Sequence, residues 1–191
     1  MPARMGGYGP GSFTPDIALN ILKSALGLPI HLVTGYKGTA EIRLAVESGE
    51  LAGSAFSWDS MKVTWRKAID AGDIVIILQL VPKPFSDLPN VPLALNLAST
   101  AEERRLIEVG IHSNGIFARP FVLPPGTPAE RVQMLRKAFQ ETLEDKEFLA
   151  EADKSKLGLD PVTGEELERS VLDLFKVDRA LLNKLRDIIS K

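Results

Sequence analysis

Cysteine is absent from the chain, histidine occurs twice, and aromatic residues make up only 6% of it. The first absence excludes thiolate nucleophiles, disulfides and sulfur-ligated metals together. His31 and His112 stand alone, with no second histidine three or four residues away, so the spacing of a helical metal motif is missing and no metal is expected. An excess of one charge is missing too. Lys and Arg number 23 against 25 Asp and Glu, and a net charge of -2 gives no electrostatic footprint for nucleic acid or an anionic membrane surface. No apolar run is long enough to span a bilayer, and Met1 to Gly7 has no apolar stretch after its single positive charge, so it does not read as a secretory signal. What the chain does have is 45% hydrophobic residues over 191 positions, enough for one good core or two modest ones.

The most informative stretch is Val33-Thr34-Gly35-Tyr36-Lys37-Gly38-Thr39-Ala40-Glu41-Ile42. Ile30, Leu32 and Val33 favour a strand, the glycines allow a tight turn, and Ile42, Ala45, Val46 and Gly49 recur at helical spacing from about Thr39. The first amides of such a helix lack intrahelical partners and point at the loop, where a carboxylate or phosphate would meet N–H donors and the positive end of the dipole. Two similar junctions flank it. Gly9 to Thr14 leads through Pro15 into a helix carrying Ile17, Ile21, Leu22 and Ala25, and its glycine run reads as the end of a strand whose body lies outside the chain. Gly53 to Phe56 reads as a short strand leading through Ser57-Trp58-Asp59-Ser60 into a helix with Val63, Ala68 and Ile69.

Ile74 to Leu80 reads as the strongest strand, apolar on both faces like a central strand in a helix-covered sheet. The alternation of helix and strand from Thr14 to Leu80 predicts an α/β layer with mostly parallel pairing. Four prolines make Val81 to Pro92 an ordered loop or crossover. Thr100 and Glu103 form a capping-box pattern, and Gly115 to Leu123 reads as extended. A boundary is expected near there, dividing 1–115 from 116–191. The helices after Leu123 each carry one apolar face and have little strand to pack against, so the isolated chain is expected either to self-associate through Leu135, Phe139, Leu143, Leu174, Phe175, Leu185 and Ile189 or to leave its C-terminal helices loosely attached.

In an open α/β sheet the carboxyl ends of parallel strands share an edge, so the three junctions are expected to converge. The candidate ligand residues are Gly9, Gly11, Ser12, Phe13 and Thr14; Tyr36, Lys37, Gly38 and Thr39; and Ser57, Trp58 and Asp59. Backbone amides and the small hydroxyls would hold an anion, Lys37 would add a point charge, and Tyr36 and Trp58 would wall an apolar body. Trp58 is equally read as core, Trp65 more so, and Asp59 more readily as a helix cap. Catalytic patterns are absent: there is no G-x-S-x-G elbow, Lys37-Gly38-Thr39 is not in phosphate-loop order, and Gly9-Pro10-Gly11 lacks the third glycine of a dinucleotide loop.

Gly9-Pro10-Gly11-Ser12, Gly35-Tyr36-Lys37-Gly38-Thr39, Leu88-Pro89-Asn90-Val91-Pro92, the stretch from Arg119 to Pro128 and that from Asp160 to Glu166 together resemble one family, in order and over nearly the whole chain. The chain is similar to the substrate-binding receptors of tripartite tricarboxylate transporters (TctC, the Bug type). The resemblance implies a two-lobed type II periplasmic-binding-protein-like fold that closes on a small organic carboxylate and delivers it to membrane permease subunits. It also implies a periplasmic setting, no cofactor and no catalysis. In those terms 1–115 is an α/β ligand-binding lobe, and 116–191 is a return strand plus helices of the other lobe, left incomplete. Family members begin with a signal and the first part of that other lobe, so the chain is expected to be a C-terminal portion. Two other readings stand beside it: a truncated lobe that binds nothing by itself, and a phosphate- or nucleotide-handling α/β enzyme.

Overall fold

The computed structural model of the chain describes residues 1–155 and 157–190. It is a mixed α/β fold, 54% helical, with a two-stranded parallel sheet. The chain divides into two compact units, one formed by Met1–Gly115 together with the segment from Val177 onward, the other by Ile116–Lys176.

In the first unit, β1 (Ala3–Gly6) pairs in parallel with β2 (Ile30–Val33), Gly6 opposite Val33, while Met5 bridges Gly53 on its other side. The glycine run is therefore the end of a strand the chain itself supplies. Between the strands, α1 (Ala18–Leu26) ends at left-handed Gly27 and buries Leu19, Ile21, Leu22 and Ala25. After β2, α2 (Thr39–Glu47) seats Ile42 and Ala45 in a small second core with Leu51. Gly6 permits this approach, since a Cβ there would lie 2.7 Å from Leu51 and 2.8 Å from Ile42. The short helices α3 (Trp58–Thr64) and α4 (Arg66–Asp70) follow, and α5 (Ala101–Ile107) opens with the expected reciprocal cap between Thr100 and Glu103. The next helix, α6, spans Ser113–Ile116.

Two expected strands do not form as read. Gly53 to Phe56 contributes one bridging residue. Ile74 to Leu80 joins no sheet: only Gln79 bridges, to Leu93, and Val75 and Ile77 are each 73% exposed. Its composition suits a central strand, yet a strand exists only where another backbone pairs with it, and the amides of residues 75–78 find no acceptor among the described residues. The polar residue of the run organises it instead. Buried Gln79 donates from Nε2 to the carbonyls of Leu88 and Val91, at 3.1 and 2.7 Å, and accepts the Phe85 amide at 2.9 Å, which holds the proline-rich loop in place.

The last helix, α10 (Arg179–Ile189), also departs from expectation. Assigned by sequence to the 116–191 body, it packs on α1 and α5, burying Leu181, Leu185 and Ile188 in the main core with Ile21, Leu106 and Ile107. Gly110 makes room, because a Cβ there would stand 2.6 Å from Ile21 Cδ1 and 2.7 Å from Leu185 Cδ2. The sequence shows that this helix needs an apolar partner but not which one.

The second unit consists of α7 (Ala129–Glu144), α8 (Lys146–Lys154) and α9 (Gly164–Leu174) with their connections. Arg136 of α7 forks onto Glu165 and Glu168 of α9 at 2.8 and 3.2 Å. Among the described residues of this unit only Ala152 is buried, and Phe175 is 84% exposed, so the helices expose the apolar faces that the sequence left without a sheet. No helix among the described residues is long and apolar enough to cross a membrane.

Candidate functional site

The carboxyl ends of β1 and β2 lie side by side, and hydrogen bonds join the first two junctions directly. The amides of Gly35 and Tyr36 donate to the carbonyls of Tyr8 and Gly7, both at 3.3 Å. The Tyr8 hydroxyl lies 2.9 Å from the Thr39 hydroxyl at the start of α2. Gly35 needs its glycine here, with φ of 109°. Gly38 does not: its backbone is fully extended and a Cβ would meet nothing within 4 Å, so of the two glycines expected to permit the turn only Gly35 is required.

Several donors expected to face a ligand are already engaged by the protein's own carboxylates. Asp16, only 3% exposed, accepts the amides of Tyr8 at 2.8 Å and Gly9 at 3.0 Å. Glu41 reaches back to the Lys37 amide at 2.8 Å. Ser12 donates its hydroxyl to the Thr14 carbonyl at 3.0 Å, within the irregular turn of Phe13–Ile17. Gly11 has φ of 88° and open space where a side chain would be. At the start of α2 the amides of Gly38, Thr39, Ala40 and Glu41 have no acceptor among the described residues, and at the start of α3 those of Trp58 and Asp59 have none either. The exposed Lys37 stands next to the α2 amides in sequence.

Tyr36 and Tyr8 pack on the small core beneath α2, with Phe56 beside them. The Tyr36 hydroxyl donates to Glu50 at 2.7 Å, and that hydrogen bond, with burial and the Glu50 charge, raises its pKa above the ordinary value against the opposing pull of Arg4. Tyr36 thus presents a ring whose polar tip is already satisfied.

The third junction is tied to the same edge through its strand end, where the Ser54 hydroxyl donates to the Gly6 carbonyl at 2.7 Å. Its expected ligand residues turn to local partners. Ser57 caps α3 by accepting the Ser60 amide, the Trp58 indole donates to Asp87 at 2.8 Å, and Asp59 pairs with Lys62 at 3.0 Å. No hydrogen bond links Ser57, Trp58 or Asp59 to the other two junctions among the described residues. The ring that enters the core is Trp65, buried with its centroid 5.5 Å from that of Phe56.

Sequence reading missed Tyr8, Asp16 and Glu41. Glu41 carried a local signal, standing three residues after the helix cap at Gly38, where a carboxylate can reach back to a preceding amide. Tyr8 and Asp16 carried none beyond lying in a glycine run and a first helical turn, since their partners are set by tertiary packing. An open groove of about 440 Å³ lined by Glu102, Arg105, Asp178, Leu181 and Lys184 includes none of the junction residues. There Lys184 and Glu102 pair with each other, leaving little unsatisfied chemistry. No group of three or more metal-ligating side chains occurs among the described residues. No family model matches the chain, and neither curated proteins nor solved structures include a match to it.

Proposed function

We propose that the chain is a substrate-binding unit of the tripartite tricarboxylate transporter receptor type, in a type II periplasmic-binding-protein-like arrangement, that binds a small organic carboxylate without chemical turnover. The observation that carries this reading is the cluster of unpartnered amides at Gly38, Thr39, Ala40 and Glu41, bordered by the Tyr8 and Thr39 hydroxyls. Aligned amides at the start of a nine-residue helix stabilise a carboxylate through both hydrogen bonds and the helix dipole. Lys37 adds charge without fixed geometry, and the rings of Tyr8 and Tyr36 supply an apolar border. On this reading the membrane permease subunits are the receiving partner and the periplasm the setting.

The test is isothermal titration of the full chain with citrate, succinate, glutamate and inorganic phosphate, repeated with Thr39→Pro, which removes one of the free amides. Carboxylate binding in the parent chain that is lost in the variant supports the reading. Binding of phosphate alone would replace it with the phosphate-handling one. A second reading, a lobe that binds nothing by itself, draws on the unpartnered amides of residues 75–78 and on Ala152 being the single buried residue of the second unit, both among the described residues. Silence towards every probe would favour it.

A further inference from the structure

The carboxylate of Asp16 is buried, enters none of the ion pairs among the described residues, and is held by two amides of the loop after β1. A buried charge without a counter-ion is costly unless hydrogen bonds replace its water, and two N–H donors at 2.8 and 3.0 Å do so here. The loop these amides belong to forms one side of the candidate site. Tyr8 offers its carbonyl to the Gly35 amide and its hydroxyl to Thr39, and Gly7 offers its carbonyl to the Tyr36 amide. The contact is close on both sides, since a Cβ on Gly7 would lie 2.5 Å from Asp16 Oδ1.

We propose that Asp16 is a positioning residue for the ligand edge: its carboxylate permanently occupies the Tyr8 and Gly9 amides and, through them, fixes the β2–α2 loop so that the amides of Gly38 to Glu41 stay free for the ligand. This rests on the reading of that edge as a carboxylate site. It divides the donors of the edge into two sets, an internal one filled by the protein's own anion and an external one at α2.

The test is amide-resolved NMR on the full chain, first without ligand. In the parent protein the Tyr8 and Gly9 amides should exchange slowly. In Asp16→Asn, which keeps the size and removes the charge, they should exchange about tenfold faster or more, and the Gly35, Tyr36 and Thr39 resonances should move. Gly7→Ala attacks the same contact from the opposite side and should move the same resonances, so the proposal stays testable if Asp16→Asn fails to fold. Citrate is then added. In the parent protein the Thr39 and Ala40 amides should shift while Tyr8 and Gly9 stay still; in Asp16→Asn the Thr39 and Ala40 shifts should shrink, because the loop that presents those amides is held less firmly. Unprotected Tyr8 and Gly9 amides in the parent, or a β2–α2 loop unmoved by both variants, would overturn the proposal. If citrate shifts nothing in the parent, the carboxylate reading fails while the ligand-free measurements still decide the role of Asp16.

Discussion

The hydroxyl of Tyr8, two residues past the end of β1, lies 2.9 Å from the hydroxyl of Thr39, the first residue of α2. That one contact ties together two loops separated by all of α1 and β2. A half-buried hydroxyl pair contributes about 0.5–1.5 kcal/mol, so Tyr8→Phe and Thr39→Val should each lower stability in urea denaturation by about 1 kcal/mol. The double variant should cost little more than either single one. Fully additive losses would show that the two hydroxyls do not act as a pair.

Gly35 and Gly38 share one loop but should respond in opposite ways. Gly35 sits at φ of 109°, where an L residue is strained, so Gly35→Ala should destabilise the chain by about 1–3 kcal/mol. Gly38→Ala should leave stability within about 0.5 kcal/mol, because its backbone is extended and the space around a Cβ is open. Thermal unfolding of the two variants side by side decides this, and equal losses would contradict the geometry of the loop.

The elements that were legible in the sequence are those fixed by nearby residues. The start of α2 at Thr39 and the capping boxes of Thr100 with Glu103 and Thr163 with Glu166 are all settled within four positions. What was not legible depends on distant partners. Ile74 to Leu80 has strand composition, but among the described residues a neighbouring backbone meets it only at Gln79, and α10 has an apolar stripe whose partner is set by the space above Gly110. The candidate edge follows the same division. The meeting of the first two junctions at the strand ends could be read from glycines and periodicity, whereas the filling of the Tyr8, Gly9 and Lys37 amides by Asp16 and Glu41 required the fold.

Gly110 should be among the least tolerant positions in the first unit. Ile21 and Leu185 are both buried in the main core, so neither methyl can swing away freely from an added Cβ. Gly110→Ala should therefore cost about 1–3 kcal/mol by overpacking and should loosen α10 in particular. Faster hydrogen exchange of the α10 amides, with α2 unchanged, is the expected signature.

His112 gives the stability a pH dependence of known sign. Burial lowers its pKa below the ordinary 6.5, with Glu108 pulling the other way, and its Nε2 has no hydrogen-bond partner among the described residues. The unfolded chain therefore takes up a proton before the folded one does. Stability is unaffected above the ordinary value and is lost as pH falls from there towards the lower folded value. His112→Asn should flatten the denaturation midpoint over that interval. The Glu103 cap acts in a separate, more acid window: its pKa is lowered by the amides of Ser99 and Thr100, so its contribution is lost as pH falls through a folded value below 4.5.

Val75 and Ile77 lie in a run, residues 75–78, whose amides have no acceptor among the described residues, and each is 73% exposed. Such an edge combines two sources of attraction, apolar area and a row of unused N–H groups, and natural sheets usually cover it or interrupt it with charge. Burying either side chain is worth about 1.5–3 kcal/mol, comparable with a large part of a domain's net stability. The isolated chain should therefore associate as its concentration rises, and its amides at residues 75–78 should exchange rapidly when dilute and more slowly when concentrated. Val75→Lys combined with Ile77→Lys should remove the association without changing the far-ultraviolet circular dichroism, because neither side chain is part of a core. Sedimentation velocity across a concentration series reads the result. Association that persists unchanged in the double variant would move the contact elsewhere, to the exposed faces of α7 and α9, where Met134, Leu135 and Leu172 are the next residues to replace.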